Sequence, residues 1–232
     1  MNGMAGTSAT KFAFTPVGGS PIAVAVGRLV IGGWTGRDRA AVARYVDTIV
    51  ETGFARPSSL PCFYEVSPAL LTGAASIDVL GEATSGEVEA VLIATEGEVF
   101  VGLGSDHTDR AMAPVSVAHA KQLCSKPIAS EVWRLAEVAD HWDELRLTSE
   151  IDDAAGGAVM YQQGTMAELM PLDELRDAVR PGRNGGCVLF CGTMPAIGGI
   201  RSSGTFSMRL EDPRTGRHIA HRYTVNPIPT VN

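Results

Sequence analysis

The sequence predicts an α+β protein, rich in strands and carrying about three helices. Three observations lead there. Short apolar runs with strand character recur at residues 22–31, 88–95, 99–103 and 187–191. Apolar residues fall at helical spacing in only a few windows. The last apolar stretches, around Phe206, Met208 and Leu210 and then Ile219, Tyr223 and Val225, alternate with polar residues as an antiparallel hairpin does. Strands mostly follow one another instead of alternating with helices, which favours α+β over a parallel doubly wound sheet.

Composition sets the limits. The chain has 232 residues, 45% hydrophobic and 19% charged, an ordinary globular balance that allows a sizeable core. That length permits one large domain or two small ones. A net charge of −7, no basic block and 6% aromatic content argue against nucleic acid or an anionic membrane surface as the main partner. No run approaches the roughly 18 apolar residues of a membrane span. Residues 1–15 are small and polar and lack a basic start followed by an apolar run, so no secretory signal is expected. Of the four cysteines, only Cys187 and Cys191 are close, as Cys-x-x-x-Cys, which is not a zinc spacing. They read as small buried apolar residues, and the expected location is a reducing cytoplasm.

Along the chain, residues 11–14 and 22–31 read as strands joined through Pro16, Gly18, Gly19 and Pro21. From 38 to 53 the period changes. Val42, Tyr45, Val46, Ile49 and Val50 fall at helical spacing, and Gly53 is a stop. A proline-bounded crossing at 56–61 leads to an extended stretch at 62–66, then a short strand at 76–80. Residues 88–95 and 99–103 form a hairpin around Glu96-Gly97-Glu98. Residues 114–123 predict a short helix starting near Ser116, and 130–135 are extended. A helical turn at 138–145 packs Trp142. Residues 146–151 pair with 158–162, and 166–179 are amphipathic with a restart at Pro171.

The chemistry is concentrated between 87 and 121. Residues i and i+2 of a strand share a face, so Glu87 and Glu89 project side by side ahead of the apolar run. A solvent-exposed strand edge explains such a pair; so does a divalent cation between the two charges. The hairpin brings Asp106 back towards Glu87, and three carboxylates with waters suit octahedral Mg²⁺ or Mn²⁺, whereas zinc usually takes His or Cys. Lys121 and Arg110 are candidate partners for substrate oxygens. His107 is a candidate base or ligand, or a loop residue pointing away, and Asp109 has the same ambiguity. In the loop 192–198, small residues allow close backbone approach, and the Thr193 hydroxyl can bond a ligand carboxylate. No phosphate-binding loop, dinucleotide fingerprint or Ser/His/Asp arrangement is present.

Four stretches, in order, resemble the fumarylacetoacetate hydrolase superfamily. Glu87-Val88-Glu89 resembles its Glu-x-Glu strand. Val101 through Arg110 is similar to its segment ending in a metal-binding aspartate and a site-closing arginine. Lys121 ahead of Pro127 resembles the substrate-facing lysine segment. Gly186 through Gly198 follows its Gly-Thr-Pro loop. The likeness spans residues 34–225 and is closest to a less-characterised bacterial branch of uncharacterised function. It implies a mixed β-roll, with residues 1–33 an N-terminal strand region and 34–232 the catalytic domain. It also implies a homodimer and Mg²⁺ or Mn²⁺ on Glu87, Glu89 and Asp106. Lys121, Arg110 and Glu51 take catalytic roles; Thr193, Gly192, Lys121 and Arg110 bind substrate. The implied activity is hydrolytic C–C cleavage of a small 2-oxo or 1,3-dicarbonyl acid through a metal-stabilised enolate. The alternatives are a decarboxylase or tautomerase of the same fold, or a non-catalytic binding member. Departures are local. The helix at 38–53 has no histidine to activate water, leaving Glu51 for the glutamate role; Met194 displaces the loop proline, Cys187 an aspartate and Ser105 an asparagine.

Overall fold

The computed structural model describes residues 9–153, 156–180 and 185–231. Strands β1 (Thr10–Pro16) and β2 (Ile22–Gly33) pair as an antiparallel hairpin. Helix α1 (Arg39–Glu51) follows, capped by the Asp38 carboxylate, which accepts from Ala41 N at 2.9 Å. Then come β3 (Cys62–Val66), β4 (Leu71–Thr72), β5 (Ser76–Leu80) and β6 (Thr84–Ser85). The central hairpin is β7 (Val88–Ala94) and β8 (Val99–Ser105), with β9 (Thr108–Asp109) just beyond. Helix α2 (Val117–Gln122) starts at Ser116, whose side chain accepts from His119 N, and leads into β10 (Lys126–Pro127) and β11 (Glu131–Arg134). Strands β12 (Arg146–Asp152) and β13 (Ala158–Thr165) follow. The amphipathic stretch after them is split. Met166–Glu168 makes one 3-10 turn, and Pro171 precedes a separate helix α3 (Leu172–Ala178), since proline cannot continue the hydrogen-bond ladder. Strands β14 (Gly186–Phe190), β15 (Thr205–Glu211) and β16 (His218–Ile228) complete the described chain.

The larger sheet runs β1-β11-β8-β7-β14-β2-β3, and β1 also pairs with β2, which closes the sheet into a small barrel. The pairing is mixed: β14 lies parallel to β2 but antiparallel to β7. The second sheet runs β13-β12-β15-β16-β5. This is the expected α+β roll. The N-terminal hairpin belongs to the same barrel as β7 and β8.

Strand β7 is buried along its whole length. One face, with Val88, Ala90 and Leu92, meets Leu147, Phe206 and Leu210 of the second sheet. The other, with Val91 and Ile93, fills the barrel beside Phe14, Val188 and Phe190. Burial on both faces explains why β7 reads as a continuous apolar run and not as an alternating one. All four cysteines are free and buried. Among the described residues, no helix is long and apolar enough to cross a membrane.

Candidate metal centre

Register places the carboxylates. Val88 faces Ser105 and Glu89 faces Gly104, so the residues just outside the hairpin, Glu87 and Asp106, come together; Asp106 N donates to Glu87 O at 3.0 Å. The strand begins at Val88, so Glu87 sits one residue ahead of it and not within it. The side chains still converge: one carboxylate oxygen from each of Glu87, Glu89 and Asp106 lies within 4.8 Å of the others. Gly104 makes room for this turn of chain. A Cβ there would come within 2.5 Å of the Phe190 ring.

Three cations surround the triad. Lys121 Nζ contacts Asp106 Oδ2 and lies 3.9 Å from Glu87 Oε2. Lys126 Nζ, fully buried, is 3.2 Å from Asp106 Oδ1 and donates to the carbonyls of His107 (2.6 Å), Lys121 (2.5 Å) and Cys124 (3.1 Å). Arg110 Nη2 is 3.1 Å from Glu87 Oε1, and its Nε donates to Ser85 Oγ at 2.7 Å. The electrostatics follow. Burial alone would raise the Asp106 pKa, but Lys121 and Lys126 hold it down at about 2. Burial also works against the Lys121 ammonium, yet Asp106, Glu87 and Glu89 outweigh it and raise its pKa. Glu89 is pushed well above the usual carboxylate range, first by burial and then by Asp106. Burial, with Lys121 adding repulsion, lowers the Lys126 pKa.

The remaining expected site residues divide. Gly192 N donates to Glu89 Oε2 at 2.6 Å, so the loop after β14 fixes a triad carboxylate. Gly192 has φ +101, and a Cβ on it would overlap the Thr35 hydroxyl. Thr193 gives its hydroxyl proton to Val88 O at 2.7 Å and accepts from Gln162 Nε2 at 2.7 Å, so it ties the loop to β7. Glu51 is exposed at the last residue of α1. His107 turns away from the carboxylates. Its Nδ1 meets Tyr223 Oη at 3.0 Å and its Nε2 meets Thr84 Oγ1 at 2.9 Å, and burial pushes its pKa down to about 3. Asp109 accepts from Met112 N at 2.9 Å and caps the following turn.

Other supporting residues escaped sequence reasoning. Lys126 carries no local mark in the sequence beyond the proline that follows it. Ser105 Oγ shares a 2.8 Å hydrogen bond with Tyr223 Oη and accepts from Glu87 N at 3.2 Å, and Gln162 Oε1 accepts from Val88 N at 2.9 Å. Gln162 and Tyr223 come from the second sheet, 74 residues from Val88 and 118 from Ser105 along the chain. A short-range motif carries no signal for such pairings.

The donor set suits a hard divalent cation. It is all carboxylate oxygen, one from each of three side chains within 4.8 Å of one another, and two of the three residues are buried. Glu87, Glu89 and Asp106 are the residues that would hold the ion.

Barrel, second sheet and acidic cluster together define a protein with the fumarylacetoacetate-hydrolase-like fold. Two solved structures share it at low sequence identity. Cg1458 matches with a TM-score of 0.59 and 13% identity over 94% of this chain and 88% of its own. A 2-keto-3-deoxyarabinonate dehydratase matches with a TM-score of 0.61 and 14% identity over 88% of this chain and 74% of its own. The chain belongs to the family described as protein of unknown function (DUF2848), whose model matches residues 32–223. No curated protein matches the sequence.

Proposed function

We propose that this protein is a divalent-metal-dependent enzyme that acts on a small 2-oxo or 1,3-dicarbonyl acid through its enolate, with Mg²⁺ or Mn²⁺ held by Glu87, Glu89 and Asp106. The observation that carries the reading is the carboxylate triad ringed by Lys121, Lys126 and Arg110. A bound divalent ion would supply Lewis-acid stabilisation of the enolate. Three carboxylates against three cationic side chains balance, so the ion's charge would leave the site positive, which suits an anionic substrate. Lys121 keeps its proton and can donate to the oxygen on which charge develops. Arg110, paired with Glu87 at 3.1 Å, brings a guanidinium to the edge of the triad that a substrate carboxylate can share. That one structural neighbour is named for a 2-keto-3-deoxy acid supports the substrate class. A cytoplasmic homodimer completes the reading.

Hydrolytic C–C cleavage is the reaction the family resemblance puts first, and it needs a group that takes a proton from water. Neither candidate is placed for that. Glu51 is exposed at a helix end, and both His107 nitrogens are engaged away from the triad. This favours the decarboxylase or tautomerase reading, which needs no activated water. The test is a screen of 2-oxo and acylpyruvate acids for Mn²⁺- or Mg²⁺-dependent loss of enol absorbance, with products identified by NMR. Carbon dioxide release, or deuterium exchange without fragmentation, is the expected result. Two carboxylic or ketone fragments would select hydrolysis. No metal-dependent change with any acid would reject the enzyme reading.

A further inference from the structure

We infer that Tyr64, held by Trp34, is a substrate-binding residue of this centre that selects oxo-acids carrying an acceptor oxygen beyond the metal-chelating pair. The inference rests on the oxo-acid reading above and adds a specificity-determining group to it.

The observations start at the end of β2. Trp34, the next residue, has φ 60, and among the described residues it is the one non-glycine with positive φ. A bulky side chain in the left-handed region is strained, and such strain persists where the surrounding structure holds it. What holds Trp34 is visible. Its indole Nε1 donates to Tyr64 Oη at 3.0 Å, and its ring lies against Tyr45 of α1 with centroids 6.3 Å apart. Tyr64 is the middle residue of β3. The strand's alternation sends Phe63 and Glu65 outwards and Tyr64 inwards, half-buried. Its ring lies on the backbone of Gly33, where a Cβ would come within 2.7 Å of Tyr64 Cε2. Strain, indole donor and glycine seat therefore converge on the orientation of one phenol.

That phenol stands at the rim of the carboxylate cluster. Lys121 Nζ, which contacts Asp106, lies 5.7 Å from the Tyr64 ring centroid, within cation–π range. Its hydroxyl is set up as a donor. The oxygen already accepts from Trp34, and among the described residues no nitrogen or oxygen accepts the hydroxyl hydrogen; the neighbouring Cys62 thiol is a weak acceptor. Burial, the largest influence, pushes the Tyr64 pKa up to about 12, so the proton stays on through the neutral range. A carboxylate and an adjacent oxo group would be committed to the cation and to Lys121. A donor at the rim recognises a third oxygen, such as a 4-oxo group or a hydroxyl.

The experiment compares two probes on the Mn²⁺-loaded protein by calorimetry. Oxalate offers only a chelating oxygen set; acetylpyruvate adds the 4-oxo oxygen. For Tyr64→Phe, which keeps the ring, acetylpyruvate binding is expected to weaken about tenfold or more, the usual loss for a hydrogen bond to a charged or polarised acceptor. Oxalate and Mn²⁺ affinities should stay within about twofold, and Trp34→Phe should show a smaller loss with the same selectivity. Unchanged acetylpyruvate binding, or equal loss of both probes, overturns the assignment of Tyr64. If the wild-type Mn²⁺ form binds neither probe, the oxo-acid reading itself fails, and the two failures are thus told apart.

Discussion

Replacing Lys126 by methionine tests the electrostatic account of the site most directly. The ammonium is fully buried, 3.2 Å from Asp106 Oδ1, and donates to three backbone carbonyls within 3.1 Å. Methionine fills nearly the same volume, so little cavity forms, and the loss is electrostatic. Breaking one partner out of a buried ion pair costs about 3–5 kcal/mol, because the other charge stays desolvated. Lys121 still holds Asp106, which places the expected loss near the lower end, about 3 kcal/mol. At about 2–4 °C per kcal/mol for a chain of this size, the midpoint should fall by roughly 6–12 °C in a metal-free thermal melt. The second half of the prediction concerns the cation. Lys126 and a metal ion compete for Asp106, so removing the lysine should tighten Mn²⁺ binding, and saturating Mn²⁺ should recover more of the melt in the variant than in the wild type. At 100 times Kd a ligand adds about 2.7 kcal/mol, enough to see the difference. A loss below about 1 kcal/mol would refute the claim that Lys126 neutralises Asp106. An Mn²⁺ shift no larger than that of the wild type would refute Asp106 as a ligand.

Three further outcomes follow from the same geometry. Glu87→Ala/Glu89→Ala should abolish divalent-ion binding in a Mn²⁺ titration followed by electron paramagnetic resonance, and unchanged binding would remove the metal centre. Glu89→Gln should stabilise the metal-free protein at neutral pH. Burial, then Asp106, raise the folded pKa of Glu89, so its contribution to stability is full below the unfolded value and is lost as pH rises through the folded one; a neutral amide removes that loss, and urea melts across pH should show a flatter curve. His107→Gln should flatten the acid side. Burial, with Lys126 and Arg110, depresses the folded His107 pKa from 6.5 to about 3, so the stability it lends is present above 6.5 and disappears as pH falls towards 3. His107 contributes about 1.4 kcal/mol per pH unit to the slope there, and an unchanged slope in the variant would show that His107 is not held neutral.

The division between what the sequence reveals and what it hides has a physical cause. Elements whose determinants are local were readable. Ser116 at the start of α2, the Glu96-Gly97-Glu98 turn and the alternation of Phe206, Met208 and Leu210 each act within a few residues, and the structure has each where expected. The triad was readable for the same reason: one tight hairpin brings Asp106 to Glu87, so pairing register alone implies their meeting. The residues that decide how the triad behaves depend on closure of the barrel and on its contact with the second sheet. Gly192 reaches Glu89 across 103 positions, Gln162 reaches Val88 across 74, and Tyr223 reaches Ser105 across 118. Nothing in a local window marks such partners. His107 shows the consequence. Beside Asp106 the sequence leaves it a base or ligand or a residue pointing away, and only the fold decides: alternation past the strand end turns it to the opposite side, where Tyr223 and Thr84 take both ring nitrogens. Adjacency in sequence to Asp106 therefore does not bring the His107 ring to the carboxylate cluster. Tyr64, from a strand more than twenty residues upstream and hidden between an exposed Phe63 and Glu65, is the one that the packing brings to the rim.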